Sequence, residues 1–180
     1  TDGVSPLIDL DGALLRQDTG GVYRVDSTST DLLTTGDVVS TGTNHLLVRE
    51  CDATRSCTLL TVDRNGERRV WPVDLPPNVR PQLVGGLSPG GDALLFNGQR
   101  VAADVASDLG VLELADGTFR GLRAPPGQEL TAAWDTNGSG VVIADSELIY
   151  IDRFTGATTV VAAGLPALRS ASTRRPAATP

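Results

Sequence analysis

The sequence predicts an all-β fold of repeated four-stranded antiparallel units. Three observations carry that expectation. Four segments share one form, an apolar strand, an acidic turn and a second strand. Four others, each upstream of one of these, place a Gly-rich turn before an apolar strand. No stretch shows the 3.6-residue apolar period of an amphipathic helix. Composition agrees: of 180 residues 20 are Gly and 11 Pro, 40% are hydrophobic and 21% charged. That is a globular balance with many turns between short elements.

The first unit reads DLDGALLRQ and then GVYRVDSTSTDLL, which places strands at 6–9, 13–17, 21–25 and 31–34. The second, STGTNHLLVRE and CTLLTVDRNGERRVW, places them at 37–40, 45–49, 57–62 and 67–73. LSPGGDALLF and GVLELADGTFRGL give 82–87, 93–96, 109–114 and 118–122. DTNGSGVVIAD and LIYIDRFTGATTVV give 129–134, 140–144, 147–151 and 157–162. The hairpin turns fall at Asp26, Asp63, Ala115 with Asp116, and Asp152, residues suited to tight turns by side-chain bonding or positive φ. Alternate turns are equally spaced, since 115 − 26 and 152 − 63 are both 89. Four units of four strands match the propeller period of about 40 to 45 residues. The expected fold is therefore a β-propeller of about four four-stranded antiparallel blades over residues 6–166. Residues 1–5 form an N-terminal extension, and the Ala-, Ser-, Thr- and Pro-rich residues 167–180 a flexible tail.

LSPGGDALLF and AAWDTNGSGVVIADSELIYIDRFTGATTVV resemble TolB-like and WD40-like β-propeller blades, in which a strand, an S/D-x-x-G-x turn, an apolar strand and an acidic-Gly hairpin recur. The resemblance covers residues 6 to 165 and is closest in the fourth unit. It implies a fold rather than an activity, because propellers host enzymes, receptors and scaffolds alike.

A propeller must join its first and last blades, or strand edges and an apolar blade face stay exposed. Three Phe, two Trp and two Tyr supply little bulk for the wedge-shaped gaps of a four-bladed ring. The start at Thr1 and the absence of Met point to upstream sequence. Together these favour an incomplete ring, part of a larger propeller, that associates through its end blades.

A formal charge of −7 with no lysine repels phosphate backbones, so nucleic acid is not an expected partner. No apolar run approaches the ~20 residues that cross a bilayer. Cys51 and Cys57, in CDATRSC, suit a hairpin disulfide joining two strand ends, whereas two cysteines with no nearby His are too few for structural zinc. A disulfide implies an oxidising, extracytoplasmic location, secreted or held at the cell surface by upstream sequence.

Several motifs invite a catalytic or metal reading. PLIDLDGALL resembles the first motif of the haloacid dehalogenase-like phosphatases, which would make Asp9 the nucleophile and Asp11 the general acid. That family needs a helix crossing over after the motif. Here the chain breaks at Gly20 and Gly21 and then alternates like a strand, and the lysine of the later motif has no counterpart. A strand-to-strand turn explains Asp9, Asp11 and Gly12 better. DTNGSG, at 135–140, opens like a calcium loop, but its twelfth position is Ser146 and Glu147 falls one residue late. His45 is the sole histidine and no G-x-S-x-G elbow accompanies it, so it reads as blade filling. Trp71 and Trp134, at strand ends, read as packing between blades. Glu67, Arg68 and Arg69, before Val70 and Trp71, read as the solvated face of an outer strand.

No catalytic, cofactor-binding or metal-binding residue is assigned on this basis. The expected function is a non-enzymatic extracytoplasmic propeller domain that binds a protein or small ligand at a blade face or loop surface. The alternatives are a propeller enzyme, a hydrolase or lyase, with its site in the central channel, and a purely structural portion of a larger propeller.

Overall fold

The computed structural model describes residues 7–18, 20–75, 81–83, 85–97, 109–122, 131–144 and 147–164. The expected N-terminal extension (1–5) and C-terminal tail (167–180) lie outside these. Among the described residues fifteen strands form four antiparallel sheets, each a simple meander. Blade 1 contains β1 (Leu7–Leu10), β2 (Ala13–Asp18), β3 (Gly21–Val25) and β4 (Thr30–Thr34). Blade 2 contains β5 (Asp37–Thr41), β6 (His45–Cys51), β7 (Cys57–Asp63) and β8 (Arg68–Trp71). Blade 3 contains β9 (Ala93–Asn97), β10 (Leu109–Glu113) and β11 (Phe119–Leu122), and blade 4 β12 (Thr131–Trp134), β13 (Gly140–Ala144), β14 (Glu147–Asp152) and β15 (Thr158–Ala163).

Each middle blade is apolar on both faces, and strand alternation divides its residues between two neighbours. In β6, Leu46 and Val48 join Leu10, Leu15 and Val22 of blade 1, while Leu47 between them joins Leu94, Phe96 and Leu112 of blade 3. In β9, Leu94 and Phe96 face blade 2, whereas Ala93 and Leu95 meet Val141, Ile143 and Ile151 of blade 4. Three apolar clusters thus fill the three gaps between consecutive blades. Among the described residues no such cluster joins blade 4 to blade 1, and Leu14 and Leu32 of blade 1 are 43% and 53% exposed.

Among the described residues the expected strand at 82–87 makes one isolated bridge, Leu87 to Leu94, rather than a ladder. The segment divides its backbone bonds between two blades. Gln82 N–H donates to Leu95 O and Leu95 N–H to Gly86 O within blade 3, while Thr41 N–H donates to Leu83 O and Leu87 N–H to Thr41 O across to blade 2. Gly86 permits this arch, because a Cβ there would lie 2.2 Å from Gln82 O and 2.6 Å from Ser40 Oγ. A second correction concerns the turns. Asp63, Glu113 and Asp152 each end a strand by donating N–H across the hairpin and accepting from the glycine at Gly66, Gly117 or Gly156. The blade 3 counterpart of Asp63 is therefore Glu113, not Ala115, so the spacing of 89 between alternate turns is not a structural period.

Candidate functional site at the convergence of the first strands

The first strands of blades 2 and 4 converge on the arch that precedes β9 in blade 3. Ser40 Oγ donates to Gln82 O at 2.6 Å, and Trp134 Nε1 donates to Gly86 O at 2.9 Å, so the arch of blade 3 is tied to β5 on one side and β12 on the other. Beside the arch lies a cleft of about 460 Å³. Blade 2 contributes Thr43 and Asn44 from the β5–β6 turn, blade 3 Leu87 and Pro89, and blade 4 Trp134, Asp135 and Thr136. Its walls are an indole and aliphatic carbons, its polar groups hydroxyls, one amide and one carboxylate. Such a mixture of apolar wall and few polar groups is that of a binding cleft.

The turn carrying Asp135 is fixed locally. Asp135 N–H donates to Gly140 O at 3.0 Å, Ser139 Oγ donates to Asp135 Oδ2 at 2.8 Å, and Asn137 Oδ1 accepts from Ser139 N–H at 2.8 Å. Of the oxygens that suggested a calcium loop, Asp135 Oδ2, Asn137 Oδ1 and Ser139 Oγ are used in holding the turn, and no group of three or more His, Cys, Asp or Glu is gathered for a metal among the described residues. Asp135 Oδ1 is buried without a hydrogen-bond partner.

Behind this turn Arg153 is almost wholly buried. Its five N–H groups meet five acceptors: Nε donates to Glu113 Oε1 (2.8 Å), Nη2 to Glu113 Oε2 and to Asp92 Oδ2 (3.1 Å), and Nη1 to Asp92 Oδ1 (3.3 Å) and Gly138 O (3.0 Å). The guanidinium also lies 5.7 Å from the Trp134 ring centroid. Burial alone would lower its pKa, but the Glu113 and Asp92 carboxylates more than reverse that and hold it charged. Burial also raises the Asp92 pKa, yet hydrogen bonds from Arg153 and Ser88 bring it below the ordinary carboxylate value. With every donor used, Arg153 clamps blade 4 to blade 3 rather than facing a ligand.

The same arrangement recurs one pair of blades earlier. Arg64 follows Asp63 as Arg153 follows Asp152, and its Nη1 reaches back to blade 1, 2.8 Å from Asp11 Oδ2 and 3.0 Å from Asp11 O. Asp9 Oδ1 accepts the Gly12 N–H at 3.0 Å. Asp9 and Asp11 therefore serve a β1–β2 hairpin and an inter-blade ion pair. His45 packs its ring against Gly91, where an added Cβ would approach within 3.0 Å. Trp71 is buried between blades 2 and 3, with Arg69 stacked over it at 4.0 Å. Trp134 packs against the blade 3 and 4 cluster and also walls the cleft, a second role its position at a strand end did not indicate. Glu67, Arg68, Arg69 and Val70 are exposed, as expected of an outer strand. The Asp-Arg pairs at 63–64 and 152–153 were the available sign of the clamps.

No family model matches the sequence, and no curated protein aligns with it. Among solved structures, an oligogalacturonate lyase in complex with manganese superposes with a TM-score of 0.50 at 14% identity, over 89% of this chain and 54% of that chain, and it is a β-propeller. The chain has the β-propeller fold. TolB from Acinetobacter baumannii (TM-score 0.45, 12% identity, 88% of this chain and 44% of that chain) and a protein described as TolB from Agrobacterium tumefaciens (0.48, 14%, 87% and 61%) also match. This propeller thus spans about half the length of the solved structures it resembles.

Proposed function

We propose that this chain is a non-enzymatic, extracytoplasmic segment of a larger β-propeller that binds a protein or small ligand in the cleft beside Trp134. The observation that carries this reading is that three blades contribute to one cleft. Its indole wall comes from blade 4, its aliphatic wall from blade 3 and an amide from Asn44 of blade 2. Acid–base chemistry needs a donor and an acceptor of matched pKa, and Asp135 is the one ionisable side chain lining this cleft among the described residues, which weighs against a hydrolase or lyase centre here. The Cys51–Cys57 bridge supports an oxidising location. The exposed Leu14 and Leu32 on blade 1, with no apolar cluster between blades 1 and 4 among the described residues, support further blades in the complete ring.

Trp134 supplies the test. In a Trp71→Phe variant it is the remaining indole, so candidate proteins and small molecules can be screened by its emission. A true cleft ligand shifts that emission and loses affinity roughly tenfold or more on Asn44→Asp or Trp134→Ala. A partner that binds with Trp134 emission unmoved and tolerates both substitutions refutes the cleft as the site.

A further inference from the structure

The disulfide of blade 2 lies far from that cleft and has chemistry of its own. Cys51 and Cys57 are directly opposed at the loop end of the β6–β7 ladder, the last of seven register pairs that begin at His45 and Asp63. Cys51 is exposed and Cys57 half-buried. The loop between them is closed without the bridge. Asp52 Oδ1 accepts from Thr54 N–H (2.8 Å), Thr54 Oγ1 (2.6 Å) and Ser56 N–H (3.0 Å), and Asp52 N–H donates to Ser56 O at 2.9 Å.

This redundancy has a thermodynamic counterpart. Coupling between folding and bridge formation is reciprocal: a bridge that adds little to the fold gains little resistance to reduction from it. Exposed bridges of this type are also the labile ones. Next to Cys57 is a cleft of about 420 Å³ whose lining includes Arg49, Arg55 and Asp74, two cations against one anion on a chain of net charge −7.

We propose that Cys51–Cys57 is a reversible thiol–disulfide exchange site for a small carboxylate-bearing thiol held beside Arg49 and Arg55. The thiolate attacks Cys57 Sγ, the Sγ–Sγ bond breaks, and Cys51 departs as a thiolate into solvent. A second thiolate then attacks the external sulfur of the mixed disulfide, releasing the oxidised thiol dimer and freeing Cys57. Two electrons pass from the two thiols to the bridge, and their two protons end on Cys51 and Cys57. The freed Cys57 thiol has an acceptor in Arg55 O, 3.7 Å away.

Glutathione, which carries carboxylates, and cysteamine, which carries an amine, are the probes, applied to native protein at equal thiolate concentration. Thiols are then trapped by alkylation and weighed by intact mass. In about 10 mM glutathione both cysteines become alkylatable without denaturant, the circular dichroism is unchanged, and oxidised glutathione restores the bridge. Glutathione reacts several-fold faster than cysteamine, the first adduct maps to Cys57, and Arg49→Gln with Arg55→Gln abolishes the preference. A bridge that resists glutathione until the protein is denatured, or whose opening unfolds the domain, overturns the proposal. A cysteamine rate equal to or above that of glutathione, or a preference that survives the double substitution, overturns the assignment of the thiol class.

Discussion

Arg153 of blade 4 and Glu113 of blade 3 form a two-bonded ion pair across a blade boundary, with Nε 2.8 Å from Oε1 and Nη2 on Oε2. Glu113 is the residue that ends β10, and Arg153 follows the residue that ends β14, so the hairpin turns themselves are what the pair fastens together. Because Asp92 shares the same guanidinium, one buried cation bridges two carboxylates and fixes the turn beside Trp134.

Replacing Arg153 with Met keeps much of the side-chain bulk and leaves Asp92 and Glu113 facing each other uncompensated. Loss of one member of a fully buried pair costs about 3 to 5 kcal/mol, and the partial exposure of both carboxylates reduces this to about 2 kcal/mol. Urea unfolding checks the value. Adding Glu113→Gln and Asp92→Asn should recover part of the loss, and a triple variant less stable than Arg153→Met would contradict the clamp.

Acid should destabilise the domain in a defined window. Burial raises the pKa of Asp92, Glu50 and Asp63, but in each case hydrogen bonds, from Arg153 and Ser88, from Thr35 and Arg68, and from the Glu67 and Asn65 N–H groups, bring it below the ordinary value. Below the unfolded carboxylate pKa of about 4 the unfolded chain binds more protons than the native one. The stabilisation is therefore complete above that value and disappears as pH falls through the lowered native values. The melting temperature should be level from neutrality to about pH 5 and fall steadily below about pH 4. A melting temperature that holds on acidification to pH 3 would show that these carboxylates carry no such stabilisation, and one that rises would show the opposite sign.

Gly86→Ala tests the arch. The added methyl meets a backbone carbonyl and the Ser40 hydroxyl, so the segment must move, at a cost of about 1 to 3 kcal/mol. Trp134 donates to Gly86 O and should move with it. Red-shifted Trp134 emission in a Trp71→Phe background accompanies the loss of stability. Full stability with unchanged emission would show that the arch tolerates a side chain.

The end blades should associate. Sedimentation velocity of the 180-residue chain over a range of concentrations should show reversible self-association, weakened by Leu14→Glu on the exposed face of blade 1. A concentration-independent monomer with cooperative unfolding would show that these four blades satisfy their own faces.

The sequence alone determined what depends on neighbours along the chain. The short apolar run GVLEL and the alternation in LIYID, with turns of acidic residues and Gly between strands, produce hairpins whatever lies around them, so most strands and the opposition of Cys51 to Cys57 were legible. Asp9 and Asp11 were readable as a turn for the same reason. Tertiary structure decided everything that depends on which blade faces which. Residues 82–87 have the composition of a strand, but the Gly85–Gly86 pair allows their hydrogen bonds to be shared between two blades, a choice that exists only once β5 and β12 are in place. Arg153 lies 40 residues from Glu113 and 61 from Asp92, and Trp134 lies 48 from Gly86. Local propensity is blind to separations of this size. Packing brings these residues together because burying the apolar faces between blades forces the turns at one end of the fold into contact, and only then does a cleft exist between them.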